Sequence, residues 1–267
     1  MTSSAPIGVF DSGIGGLTVV HELMRQLPGE SIIYFGDTAR VPYGPKSPET
    51  VRRYSREITG FLIDQGVKSI VVACNTATAH ALPMLRAEIA MPVIGVVEPG
   101  ARAAVTATRS SRIGVIGTVG TINSGAYERA IRALSPQAMI TARACPLFVP
   151  LVEEGWLDHD ATRLIAAEYL DPMRDAAIDT LVLGCTHYPL LKAMIAAEMG
   201  DDVRLIDSAE QTAAETARML DDRGLRAPGG MRSVHRFVAS DAADHFLRVG
   251  QRFLGEAIDR VETVTLG

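Results

Sequence analysis

Apolar and polar positions along the chain form short blocks that predict strands followed by helices. The strand-like runs are brief, rich in Val and Ile and continuously apolar, which is typical of strands covered on both faces of a sheet. Predicted strands lie near 7–10, 31–35, 69–73, 93–97, 113–117, 138–142, 180–184 and 203–207. Predicted helices lie near 15–27, 48–65, 76–90, 99–108, 122–134, 160–177, 188–199 and 209–223. This order predicts an α/β fold with largely parallel sheets.

Three runs of the first half recur in the second half in the same order. The matched runs are 7–13 with 113–119 (offset 106), 71–76 with 182–187 (offset 111), and 93–96 with 204–207 (offset 111). Similar offsets in one order favour duplication of an α/β unit, and hence two related three-layer α/β domains.

The second half ends near Asp207, and the tail beyond it carries one more predicted strand and a helix from Asp241 to Phe253. We expect this tail to return to the first half. Residues 1–98 plus 208–267 are then the first, discontinuous domain, and residues 99–207 are the second.

Composition excludes several classes of protein. Hydrophobic residues make up 47% of the chain and charged residues 21%, which is ordinary for a globular enzyme. The net charge is −5 with no basic stretch, which argues against a nucleic-acid partner. No apolar run is long enough to cross a membrane, and the N-terminus does not have the pattern of a signal peptide. Three cysteines, an odd number, favour the reducing cytoplasm over a disulfide framework.

Cys74 and Cys185 end the two matched apolar runs, and each is followed by polar residues able to cap a helix. A helix N-terminus lowers a thiol pKa and favours a reactive thiolate. The alternative is that each cysteine is a small buried hydrophobic residue, as free cysteines often are. Their matched positions favour a reactive pair and a site with two equivalent halves. Cys145, which precedes Pro146, has no such context and is predicted to be structural.

Other polar groups follow predicted strands. The glycine cluster 11–16 lacks the spacing of a dinucleotide fingerprint, so we expect its backbone N–H groups and the Ser12 hydroxyl to bind a carboxylate. A tight turn capped by Asp11 or Ser12 is the structural alternative. We expect Asp11 to assist Cys74 and His187 to assist Cys185; the alternative for both is a helix cap or a turn residue with its hydrogen bonds satisfied. The stiff loop around Pro42 predicts donors from the Tyr43 hydroxyl and the Gly44 N–H.

The residue inventory argues against cofactors. Lysine occurs only at Lys46, Lys68 and Lys192, and only Lys46 lies in a plausible site loop, which disfavours a pyridoxal-phosphate Schiff base. A zinc site is disfavoured because the chain has no C-x-x-C motif. A hydrolase with a single nucleophile leaves the second matched cysteine unexplained. We therefore predict no cofactor and no metal.

Six motifs in order resemble those of the cofactor-independent glutamate racemases, within the aspartate/glutamate racemase superfamily. They are FDSGIGG at 10–16, the loop 37–44, ACNTA at 73–77, the run 117–121, the segment 145–153 and LGCTHYP at 183–189. The resemblance covers nearly the whole chain. It implies interconversion of L- and D-glutamate without a cofactor, supply of D-glutamate for peptidoglycan, an active site in the cleft between two domains, and a cytoplasmic homodimer.

The resemblance also implies roles for individual residues. Cys74 and Cys185 are the two catalytic bases, one for each face of the α-carbon, and Asp11 and His187 assist them and contact the substrate. Glu153 matches an acidic position on the side of the second cysteine, although the neighbouring Glu154 leaves that choice open. The residues expected to bind the substrate are Ser12, Tyr43, Gly44, Asn75, Thr76 and Thr186, with Thr121 as a further addition.

Two alternatives stay open from the sequence. A sister racemase acting on aspartate or another acidic substrate uses the same two-thiol chemistry. A binding protein that keeps the fold without catalysis is a second alternative, and the presence of both cysteines argues against it.

Overall fold

The computed structural model describes residues 2–230, 232–255 and 258–266; residues 1, 231, 256, 257 and 267, within the predicted first domain, lie outside the described residues. The strands are β1 Ile7–Asp11, β2 Ile32–Gly36, β3 Ser69–Val72, β4 Val93–Gly95, β5 Arg112–Gly117, β6 Met139–Ala144, β7 Thr180–Gly184, β8 Arg204–Asp207, β9 His235–Ala239 and β10 Val261–Thr263. The helices are α1 Leu17–Gln26, α2 Pro48–Asp64, α3 Asn75–Glu88, α4 Val97–Ala107, α5 Val119–Asn123, α6 Ala126–Leu134, α7 Phe148–Glu153, α8 Asp160–Asp175, α9 Lys192–Met199, α10 Ser208–Asp222 and α11 Ala243–Leu254.

The strands form two sheets with related topology. The larger sheet has the order β10-β9-β2-β1-β3-β4 and the smaller has β6-β5-β7-β8. Four strands of the larger sheet, β2-β1-β3-β4, match the smaller sheet one for one. Every strand pairing in the described part of the chain is parallel. The predicted fold class, two related α/β domains with largely parallel sheets, is confirmed.

Burial explains the continuous apolar runs. All residues of β1 and β7 are buried, since helices cover both faces of each sheet. The chain after α10 adds β9 and β10 to the edge of the larger sheet, next to β2. The domain boundaries at 98/99 and 207/208 stay a prediction. Among the described residues, no helix combines the length and apolar character needed to span a membrane.

Local structure differs from the predicted elements at several places, one of which is β10, a second strand in the tail that was not predicted. The helix predicted at 122–134 divides into α5 and α6, because Gly125 adopts a left-handed conformation with φ of 64° between them. The helix predicted at 188–199 begins with a separate 3-10 turn, Tyr188–Leu191, which contains Pro189. Helix α7 was not predicted, because it is only 6 residues long and has a proline within it.

Candidate active site

One cavity of about 390 Å³ lies at the carboxyl ends of strands from both sheets. The strand order reverses at β1 in the larger sheet and at β5 in the smaller sheet, because the next strand along the chain lies on one side and the following strand on the other. Open α/β sheets bind ligands at such points. The predicted residues in its wall are Ser12, Tyr43, Gly44, Cys74, Asn75, Thr76, Glu153, Cys185, Thr186 and His187. Asp11 and Thr121 are the predicted residues that do not line the cavity. The structure therefore brings both matched cysteines into a single site.

Cys74 is itself the N-cap of α3. Its sulfur accepts a hydrogen bond from the N–H of Ala77 at 3.4 Å and one from the Ser12 hydroxyl. Burial and the negative charge of Asp11 nevertheless raise the pKa of the Cys74 thiol to about 12, outweighing those two hydrogen bonds. Cys74 is thus a neutral thiol at pH 7.

Asp11 lies behind the cavity wall and is fully buried. Its Oδ2 accepts the N–H of Gly13 at 3.0 Å, whereas its Oδ1 has no hydrogen-bond partner in the described part of the chain. Burial raises the pKa of the Asp11 carboxyl above its usual range, although the charge of His187 acts in the opposite direction. Asp11 therefore lies beside Cys74 without lining the cavity itself.

Cys185 has a different partner. Its sulfur is 3.9 Å from Nδ1 of His187, and the 3-10 turn, rather than an α-helix, follows directly. Nε2 of His187 is 2.9 Å from Oε1 of Glu153. Although burial alone lowers the pKa of His187, its hydrogen bonds to Cys185 and Glu153 raise it to about 10. His187 is thus an imidazolium at neutral pH, held between a sulfur and a carboxylate.

Glu153, rather than Glu154, faces the site. Burial raises the pKa of the Glu153 carboxyl, but the hydrogen bond and charge of His187 outweigh it and leave the pKa below its usual value. Glu154 is exposed and lines a separate surface depression. Of the two neighbouring acids that the sequence left open, Glu153 is therefore the one in the cavity wall.

Hydroxyl groups line the opposite side of the cavity. Thr76 Oγ1 lies 2.8 Å from Thr118 Oγ1 and 3.2 Å from Thr121 Oγ1, and Thr118 also hydrogen-bonds to Thr121 at 3.0 Å. Of these three, Thr76 and Thr118 reach the wall. The cluster joins the start of α3 to the start of α5, and so links the two halves of the chain.

The Tyr43 hydroxyl is engaged within the protein. It donates to Oδ2 of the fully buried Asp37, whose Oδ1 accepts the hydroxyl of Ser240 at 2.9 Å. The Tyr43 oxygen can still accept a hydrogen bond, but its proton is directed away from a ligand. Asp37 thereby positions the loop that carries Tyr43 and Gly44.

Sequence reasoning missed several wall residues. Thr118 is the polar one, and the internal repeat contains the signal for it, because the offset of 106 aligns Ser12 with Thr118. The apolar part of the wall is formed by Val41, Pro42, Pro45, Val119, Pro146, Val149 and Pro150. No Lys or Arg is among the lining residues of this cavity. Cys145 is fully buried and lies outside the wall.

The described residues contain no group of three or more His, Cys, Asp or Glu side chains placed to hold a metal ion. The predicted absence of a cofactor stays a prediction.

Comparison with known proteins identifies the family. The family model for Asp/Glu/hydantoin racemases matches residues 7–216. The chain belongs to the Asp/Glu/hydantoin racemase family. It is 55% identical to the glutamate racemase of Geobacter metallireducens, over 97% of this chain and 96% of that protein.

Solved structures of racemases have the same fold. The glutamate racemase isoform RacE1 of Bacillus anthracis superposes with a TM-score of 0.96 at 45% identity, covering 99% of this chain and 98% of that one. The Francisella tularensis glutamate racemase, solved in complex with D-glutamate, superposes with a TM-score of 0.92 at 41% identity, covering 98% of both chains. Within the family, the chain groups with the glutamate racemases.

Proposed function

We propose that the protein interconverts L- and D-glutamate by a two-base mechanism in which Cys74 and Cys185 act on opposite faces of the α-carbon. The observation that carries this proposal is the presence of both thiols in the wall of one cavity of about 390 Å³. The aspartate racemase alternative shares this chemistry. Glutamate is favoured because relatives at 55% and 52% identity carry the name glutamate racemase.

The two thiols have different neighbours. Two thiolates facing one substrate would repel each other, so the site favours a single negative charge. Asp11 and burial keep Cys74 protonated. The imidazolium of His187 lies 3.9 Å from the sulfur of Cys185, so a positive charge adjoins the second sulfur. The mechanism needs one sulfur as a thiol and the other as a thiolate, and the unequal neighbours distinguish the two sulfurs.

Racemisation then proceeds by two proton transfers. The thiolate takes the α-proton from one face, and the C–H electron pair passes into the adjacent carboxylate as the carbanion forms. The opposite thiol returns a proton to the other face, so the substrate is inverted and the two sulfurs have exchanged protonation states. The reverse reaction starts from that exchanged state.

Neutral donors hold the substrate carboxylates. The wall has no Lys or Arg, so the carboxylates are met by the hydroxyls of Ser12, Thr118 and Thr186, by the amide of Asn75 and by backbone N–H groups at the start of α3. Donors aimed at the α-carboxylate also stabilise the charge that develops there during deprotonation. In the cell, we propose that the D-glutamate formed supplies peptidoglycan synthesis, and that the enzyme is a cytoplasmic homodimer.

A direct assay tests this function. Purified protein, dialysed against a chelator and treated with hydroxylamine, is expected to form D-glutamate from L-glutamate without any added cofactor. Turnover of L-aspartate measured in parallel should be far slower. Faster turnover of aspartate would favour the sister activity, and activity restored only by metal or pyridoxal phosphate would contradict the two-thiol mechanism.

A further inference from the structure

Asn75 lies in the first turn of α3 and is one of the residues that line the cavity. Its side chain is 2% exposed, and its Nδ2 has no hydrogen-bond partner among the described residues. Its Oδ1 accepts a hydrogen bond of 2.7 Å from the Tyr127 hydroxyl. An amide has one accepting end and one donating end, so a partner on Oδ1 leaves the NH₂ group for the occupant of the cavity.

Tyr127 reaches Asn75 from the other half of the chain. It lies on α6, is 1% exposed, and does not line the cavity. Its ring packs against Gly184, where an added Cβ would come within 3.0 Å of it. The Ser208 side chain also hydrogen-bonds to the phenol. With Ser208 as donor to the phenol oxygen, the Tyr127 proton is directed to Asn75.

We propose that Tyr127 is a positioning residue for the substrate: it orients the Asn75 amide so that its NH₂ donates to a substrate carboxylate. This inference rests on the racemase function proposed above. Without the phenol, either end of the amide can face the cavity, and the carbonyl end would repel a carboxylate. Since the carboxylate is present in both the bound substrate and the transition state, the loss acts mainly on KM.

A double-mutant cycle tests the proposal. Tyr127→Phe, Asn75→Ala and the double variant are compared with the wild type by steady-state racemisation of both enantiomers. Tyr127→Phe should raise KM for L- and D-glutamate about 3- to 10-fold while kcat changes less than about 3-fold, as the loss of one oriented hydrogen bond predicts. In the Asn75→Ala background the same substitution should raise KM no further, because Tyr127 acts through Asn75.

Tyr188→Phe is the matched control. Tyr188 is fully buried, and its hydroxyl donates to the backbone oxygen of Cys145 at 2.8 Å, so the variant loses a similar hydrogen bond away from Asn75. Its KM should stay at the wild-type value. An unchanged KM in Tyr127→Phe, or KM effects that multiply in the cycle, would overturn the proposal.

The experiment also distinguishes a variant that fails to fold from a failure of the proposed function. If Tyr127→Phe does not fold, Ser208→Ala replaces it in the cycle, with a smaller rise in KM expected only when Asn75 is present; an equal rise in the Asn75→Ala background contradicts the proposal. Wild-type protein that does not racemise glutamate refutes the proposed function itself, whatever the cycle shows.

Discussion

The two proposed catalytic thiols, Cys74 and Cys185, occupy equivalent positions, yet their neighbours differ residue by residue. The internal repeat aligns Asp11 with Gly117 and Thr76 with His187, so the acidic partner exists only beside Cys74 and the imidazole only beside Cys185. A carboxylate disfavours a nearby thiolate, and an imidazolium favours one. These two departures from the repeat give the two sulfurs different electrostatic neighbours.

Replacing either wall cysteine should abolish racemisation. Cys74→Ala and Cys185→Ala each remove the base for one enantiomer and the acid for the other, so kcat/KM should fall by about 10³-fold or more in both directions. The measurement is racemisation of L- and D-glutamate followed by polarimetry. Substantial activity in either variant would contradict the mechanism.

Cys145→Ala serves as the matched control for these variants. Cys145 is fully buried outside the cavity wall, and burial raises its thiol pKa to about 12, so it is a neutral packing residue. Its activity should equal that of the wild type.

In heavy water, wild-type product should carry deuterium at the α-carbon, because the second thiol exchanges with solvent.

The charge on His187 predicts a pH dependence. The pKa of His187 is raised to about 10, so the imidazolium is lost as pH rises through that value. Glu153→Gln removes a carboxylate that favours the charged ring, and the alkaline limb of kcat/KM should move to lower pH by roughly one unit. The raised pKa also stabilises the folded state fully below the unfolded value of 6.5, and that stability disappears as pH rises towards 10.

Glu154→Gln is the matched control for the pH profile. Glu154 is the exposed neighbour of Glu153, so the alkaline limb should stay where it is in the wild type. A Glu153→Gln profile that coincides with the wild-type one would show that His187 does not owe its charge to Glu153.

At the scale of elements, the β1–α1 loop and the first turn of α1 pack tightly on the segment that follows β7. The Thr18 hydroxyl donates to the backbone oxygen of Thr186 at 3.2 Å. A Cβ built on Gly15 would lie 2.5 Å from Nδ1 of His187, which is closer than side chains approach. Glycine is therefore required at this position by the close approach of the two halves.

Gly15→Ala should reduce activity more than it reduces stability. The added methyl group displaces the His187 ring from Cys185, and misplacement by about 1 Å can cost roughly 100-fold in rate. The readout is kcat/KM beside the midpoint of thermal unfolding. Gly29→Ala is the control, because nothing lies within 4 Å of a Cβ at Gly29, and it should leave both quantities unchanged. Near-wild-type activity of Gly15→Ala would contradict this prediction and show that the loop moves to accommodate the methyl group.

At the scale of the whole molecule, one buried ion pair ties distant segments to the larger sheet. Lys68 and Glu30 have side chains 0% and 2% exposed, with Nζ and Oε2 2.5 Å apart. Lys68 Nζ also donates to the backbone oxygen of Ser3 at 2.6 Å, and Glu30 Oε1 accepts the N–H of Ala227 at 2.8 Å. The pair therefore fastens the N-terminal segment and the chain beyond α10 to the same place.

Lys68→Met should destabilise the protein by about 3–5 kcal/mol, because it leaves the Glu30 carboxylate buried without its partner. The free energy of unfolding is measured by urea titration, and the double variant with Glu30→Gln should recover part of the loss. Arg218→Met removes an exposed ion pair with Glu215 and should cost less than about 1 kcal/mol. An equal effect of the two single substitutions would contradict the assigned role.

The sequence by itself determined the order of strands and helices, the internal repeat and the pair of cysteines. These features are local: a buried parallel strand needs a continuous apolar run, and a duplicated unit leaves equally spaced copies. The positions of Cys74 and Cys185 at strand ends then followed from the fold class, since parallel strands bring their carboxyl ends to one edge. Element boundaries were less well predicted, because Gly125 and Pro189 interrupt helices whose apolar pattern continues through them.

Only the tertiary structure decided which polar groups share partners across long sequence distances. It paired His187 with Glu153 rather than with exposed Glu154, directed the Tyr43 proton to Asp37, and joined Tyr127 to Asn75. A hydrogen bond requires a donor–acceptor distance correct to within a few tenths of an ångström and a favourable angle at the hydrogen. No spacing rule along the chain encodes that geometry. Such contacts form only when the two halves pack together, so they became visible only in the folded molecule.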